Sequence, residues 1–93
     1  MGFIKDVVIY ERGVTKVYIN QCHAKGKKTK EFAIRRDDKT GLAHYLGGIR
    51  WHGAWRQYIF EPHGLYTIWN HSCLDGISIF LNQLNAKWRK VHR

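Results

Sequence analysis

The chain holds one proline, two cysteines and only seven acidic residues against sixteen lysines and arginines. Each scarcity closes a class of explanation. With Pro62 alone and no Ser-, Gly- or Pro-rich run, nothing reads as a linker, so residues 1–93 are expected to form a single domain. Cys22 and Cys73 are too few for a disulfide framework and read as reduced thiols, which points to the cytoplasm. No stretch approaches the roughly 18 consecutive apolar residues that span a bilayer. The opening MGFIKDVVIYERG lacks the apolar core and cleavage site of a signal peptide, and Asp6 stands where a myristoylation pattern wants Ser or Thr. No membrane partner is expected.

Catalytic signatures are equally scarce. There is no Gly-rich phosphate loop, no nucleophile elbow and no paired carboxylates beyond Asp37-Asp38. Glu61 and His63 flank Pro62 with acid–base chemistry, as does His44 beside Tyr45, but the chain reads as a non-enzyme without a cofactor; the alternative is a metal-free nuclease using His and Lys.

What is present is positive charge and aromatic surface. The formal net charge is +9 with the histidines neutral. Charge of one sign repels itself in a compact domain and serves an anionic partner, nucleic acid first and an acidic protein surface second. Four Trp, five Tyr and four Phe accompany it. A chain this short buries only about 60 to 65% of its unfolded surface, so several of these rings must fill the core.

The pattern predicts an α+β domain: an antiparallel sheet of about five to six strands, built from hairpins as a meander and covered on one face by a C-terminal helix. FIKDVVIYE (3–11), TKVYINQCH (15–23) and EFAIR (31–35) alternate as strands, with Gly13 at one turn and the tip AKGKKTK around Gly26 at the next. RDDKTGLAHYLGG (36–48) reads as a loop with one helical turn, because Leu42, Tyr45 and Leu46 have helix-like spacing. LYTIW (65–69) reads as the last strand. From Ser72 on, Leu74, Ile77, Leu81, Leu84, Trp88 and Val91 form one stripe, Ser72 and Asp75 have capping-box spacing, and Lys87, Arg89, Lys90 and Arg93 suit the helix C-terminus.

The stretch IRWHGAWRQYIF (49–60) carries the sharpest expectation. Taking Gly53-Ala54 as a two-residue type II′ turn puts Ile49, Trp51, Arg56, Tyr58 and Phe60 on the core face. Arg50, His52, Trp55, Gln57 and Ile59 then share the free face, whose cations and rings suit planar or anionic ligands. Single strands are held by a cationic groove with stacking platforms. Arg50, His52, Trp55, Gln57 and Tyr18 fit the face of such a groove, while Lys25, Lys27, Lys28 and Lys30 at the tip, with Arg35 and Arg36, extend the positive field. Trp55 is otherwise a half-buried cross-strand partner among solvated cations. Cys22, His23, His71 and Cys73 raise the alternative of a structural zinc, but adjacent Cys-His pairs point to opposite faces of a strand, and no metal is expected.

YLGGIRW, AWRQYIFEP and CLDGISIFLNQLN together resemble a family of small proteins carried by bacteriophages and prophages. The resemblance covers the second half of the chain and makes Trp51, Trp55, Arg56, Tyr58, Phe60, Pro62 and Cys73 family positions. It implies context, a phage-type accessory protein in the host cell, and no particular chemistry. Charge and rings lead to the expectation of nucleic-acid binding, with single-stranded DNA or RNA favoured, and the resemblance adds the alternative of non-enzymatic inhibition of a host protein complex, of the anti-defence or anti-CRISPR type. A homodimer is compatible with either.

Overall fold

Alternating β-branched and aromatic residues make most of the chain before the helix extended. The computed structural model describes residues 7–13, 15–22, 29–64 and 69–91. Among them, β1 (Val7–Arg12), β2 (Thr15–Cys22), β3 (Glu31–Asp37), β4 (Ala43–His52) and β5 (Gln57–Pro62) form one antiparallel sheet in the order of the chain, followed by α1 (His71–Val91). The fold is α+β, as expected, with five strands. Residues 65–68 of the sixth expected strand and residues 3–6 of the first lie outside the described residues. No described helix is long and apolar enough to cross a membrane.

The expected loop at 36–48 is shorter than its sequence suggests. β4 begins at Ala43, pairs with β3 from Asp37↔Ala43 onward, and absorbs Leu46 as a bulge between Ile34↔Gly47 and Arg35↔Tyr45. Gly47 punctuates the sequence for a packing reason: a Cβ there would lie 2.7 Å from the Glu61 carbonyl oxygen and 3.0 Å from the Phe60 ring. A loop-forming residue thus sits inside a strand because the neighbouring strand crowds it.

The core gathers Val17, Ile19, Phe32, Ile34, Ile49 and Tyr58 from the sheet with Cys73 and Ile77 from α1. The helix backbone approaches the two edge strands, β1 and β5, so the sheet curls toward it from both sides. Its side chains reach the middle strands: Phe80 meets Phe32 edge-on at 5.0 Å, and Trp88 meets Trp51 at 4.4 Å. The stripe differs at its ends from the sequence pattern. Cys73, Ile77, Phe80, Leu81, Leu84 and Trp88 face the core, whereas Leu74 is 44% and Val91 75% exposed. The cap differs too, since Asn70 accepts the Cys73 N–H at 2.8 Å and its carbonyl accepts the Leu74 N–H at 3.1 Å. Asn70 is the N-cap and Ser72 already lies in the first turn.

Asn85 and Gly76 are what seat the helix on those edges. The Tyr58 N–H donates to Asn85 Oδ1 at 2.6 Å, and Asn85 Nδ2 donates to the Tyr58 carbonyl at 3.3 Å. One side-chain amide therefore occupies the open edge of β5 as a further strand would. At the β1 edge, a Cβ on Gly76 would fall 2.6 Å from Ile9 Cβ. Alanine has the better helix propensity by about 0.8 to 1 kcal/mol, yet here it must push β1 and α1 apart. Gly76→Ala is expected to lower the melting temperature in a thermal unfolding experiment, whereas propensity alone would raise it.

Candidate nucleic-acid interface

The β4–β5 hairpin turns over four residues, with His52↔Gln57 as the closing pair and the Arg56 N–H bonded to the His52 carbonyl at 2.8 Å. The two-residue type II′ turn is thereby corrected. Gly53 keeps a negative φ, and the left-handed residue is Arg56, at φ 54°. Lengthening the loop by two residues leaves strand parity intact, because side chains alternate with period two. Ile49, Trp51, Tyr58 and Phe60 face the core, and Arg50, His52, Gln57 and Ile59 lie on the other face. Trp55 and Arg56 belong to neither face; both are exposed in the loop, which removes the difficulty of a cation on the core side.

The face carrying Arg50 is not a basic surface. Cross-strand pairing aligns Glu11 with Lys16 and Asp37, Tyr18 with Arg35 and Tyr45, and Cys22 with Glu31 on this same side. Lys16, Arg35 and Arg50 are therefore interleaved with Glu11, Glu31, Asp37 and Glu61. Arg50 Nε and Nη2 donate to Glu61 Oε2 at 2.9 and 2.6 Å, and the Tyr18 hydroxyl donates to Asp37 at 3.1 Å. The Arg50–Glu61 pair is exposed, so it adds at most about 1 kcal/mol, but it neutralises the charge assigned to Arg50.

The surplus charge collects instead at one end of the sheet. Trp51 and Trp88 stack at 4.4 Å, and Tyr58 lies edge-on to both at 5.3 and 6.1 Å. The Lys30 N–H donates to the Tyr58 hydroxyl at 3.1 Å, and Lys30 and Lys87 line one groove of about 290 Å³. Arg89 and Lys90 occupy the last turn of α1. Above this cluster, Trp55 is 67% exposed; its N–H donates to His52 Nδ1 at 3.2 Å and its ring stacks obliquely on the imidazole at 4.7 Å. That hydrogen bond requires the His52 tautomer with Nδ1 unprotonated. β2 ends and β3 begins at this same end, while Lys25, Lys27 and Lys28 of the expected tip lie outside the described residues. Of the sites expected from sequence, His52, Gln57 and Trp55 come together here, and Lys30 lies at the same end of the sheet. Arg35 remains on the mixed-charge face, and Arg56, Lys87, Arg89 and Lys90 join them.

The described members of the Cys/His set are not assembled. Cys73 is buried in the core, where desolvation pushes its thiol pKa up, and it lies about 22 Å along the helix axis from Trp88, the residue at the Cys22 end. His23 lies outside the described residues. Among the described residues no group of three or more His, Cys, Asp or Glu is placed to hold a metal ion. The acid–base candidates are structural neighbours of rings and loops: His63 packs edge-on to Tyr45 at 5.0 Å, and His44 Nε2 lies 2.7 Å from Asp38 Oδ2. Asp38 organises the β3–β4 loop, accepting from Thr40 Oγ1 and from the Thr40 and Leu42 N–H groups.

Compared with protein-family models, curated proteins and solved structures, the chain finds no match.

The Thr40 hydroxyl, and then His44, hold the Asp38 carboxyl well below the usual carboxylate range. A group whose folded pKa is depressed stabilises above its unfolded value of about 3.9, and the gain is lost as pH falls through the folded value. The melting-temperature gap between wild type and Asp38→Asn is expected to be constant above about pH 5 and to close progressively below about pH 4.

Proposed function

We propose that the protein binds nucleic acid, single strands in preference to duplex, through the cationic aromatic end and not through the sheet face. One observation carries this reading: the most exposed tryptophan, Trp55, projects in the loop from the same end of the sheet as Lys30 and the last turns of α1 with Lys87, Arg89 and Lys90, while the cations on the sheet face are interleaved with acids. Trp55 supplies a stacking platform, the surrounding cations take phosphates, and the Trp51-Trp88-Tyr58 cluster holds the platform's base in place. In this reading α1 covers one face of the sheet and serves as the rigid mount on which the end is built. A single strand is favoured because unstacked bases can reach an exposed ring, whereas a duplex needs a helix or ribbon fitted to its groove. The resemblance of the second half to phage-borne proteins fits a small accessory factor working in the host cytoplasm.

The test is a titration of labelled single-stranded and duplex oligonucleotides at rising salt. Single-strand affinity is expected to fall with a log–log slope of about 0.7 per phosphate contact. Trp55→Ala should weaken binding by about 1 to 3 kcal/mol while leaving the melting temperature unchanged. Trp51→Ala, which removes the ring between Trp88 and Tyr58, should destabilise the fold by about 3 kcal/mol. Absence of binding at about 50 mM salt overturns the proposal and leaves inhibition of a host protein complex as the surviving expectation.

A further inference from the structure

Arg56 is the one non-glycine residue with a positive φ among the described residues. The last position of a four-residue hairpin loop takes the left-handed conformation to lead the chain back into the strand, and glycine or asparagine fills such a position at little cost. A long side chain there brings its Cβ close to the following carbonyl. The same loop carries a glycine, Gly53, at a position with ordinary φ and open space where a side chain would begin. The conformational need and the glycine are at opposite ends of the loop. No side-chain contact offsets the strain, because Arg56 is exposed and its guanidinium makes no hydrogen bond or ion pair among the described residues.

We infer that Arg56 is a ligand-contacting residue whose strained backbone is retained for its side chain: it grips the phosphate next to the base that stacks on Trp55. The inference rests on the nucleic-acid reading above and adds to it the residue that couples stacking to backbone capture. Its place supports the pairing. Trp55 and Arg56 are adjacent, and the loop is pinned by the Arg56 N–H on the His52 carbonyl and the Trp55 N–H on His52 Nδ1. Two hydrogen bonds from the loop's N–H groups therefore fix the backbone under both side chains, so binding has only the Arg56 side chain left to order.

The experiment compares wild type, Arg56→Asn and Arg56→Lys in thermal melts and in salt-dependent binding to a labelled single-stranded oligonucleotide. Arg56→Asn is expected to raise the melting temperature by about 2 to 4 °C, to weaken binding about five-fold, and to reduce the salt slope by about 0.7. Arg56→Lys keeps the slope. Stability and affinity moving in opposite directions is the signature of a residue kept for its ligand. Wild-type binding with Arg56→Asn at unchanged affinity and slope overturns this inference alone. A melting temperature lowered by Arg56→Asn overturns the strain argument, and failure of the wild type to bind overturns this inference together with the nucleic-acid reading.

Discussion

Everything in this molecule leans on one helix held against both edges of a five-stranded sheet. A meander has two open edges, and each exposes peptide groups that would recruit another chain. Here Asn85 meets the Tyr58 peptide with both ends of its amide, while Gly76 lets the helix backbone come down onto Ile9. The two contacts act through different physics, hydrogen-bond satisfaction on β5 and steric permission on β1. Together they draw the sheet around the helix, and Ile19, Ile34 and Ile49 are sealed between them.

The same clasp organises the charge. With the last turns of α1 brought beside the end of β4 and the start of β5, Trp88 slots against Trp51 and Tyr58. The cations flanking Trp88 in sequence are thereby carried to the end of the sheet from which the β4–β5 loop projects. Apart from Glu31, at the start of β3, the described acids lie elsewhere. Glu11, Asp37 and Glu61 stand among the sheet cations, and Asp38 is consumed in ordering its own loop. A chain-wide excess of base thus becomes a local one, which is how a modest domain concentrates an electrostatic field without a dedicated motif.

Much of the fold is legible from residue patterns. Period-two alternation locates the meander, and the apolar spacing after Ser72 locates the helix. The inward and outward sets of the Trp hairpin survive a turn two residues longer than expected, because an error of two is invisible to a pattern of period two. The departures share one cause, which is that spatial neighbours leave no local trace. Gly47 reads as a loop residue because nothing beside it in sequence reveals that β5 crowds it. Gly53 reads as the turn residue although the left-handed position falls on Arg56, and Ser72 reads as the cap although Asn70 accepts the helix N–H. A basic sheet face follows from β4 and β5 alone, but register brings in acids from strands distant in sequence.

The amino-acid sequence by itself determined the class of the protein: α+β, strongly basic, rich in rings, with an amphipathic final helix. These follow from composition and from periodicities of two and 3.6 residues, which local stereochemistry enforces. Tertiary structure decided where the charge and the free ring come to rest. Strand register chose which cations meet acids, and helix docking chose which end of the sheet receives Lys87, Arg89 and Lys90. Electrostatic character depends on neighbours in space, and no sequence spacing reports them.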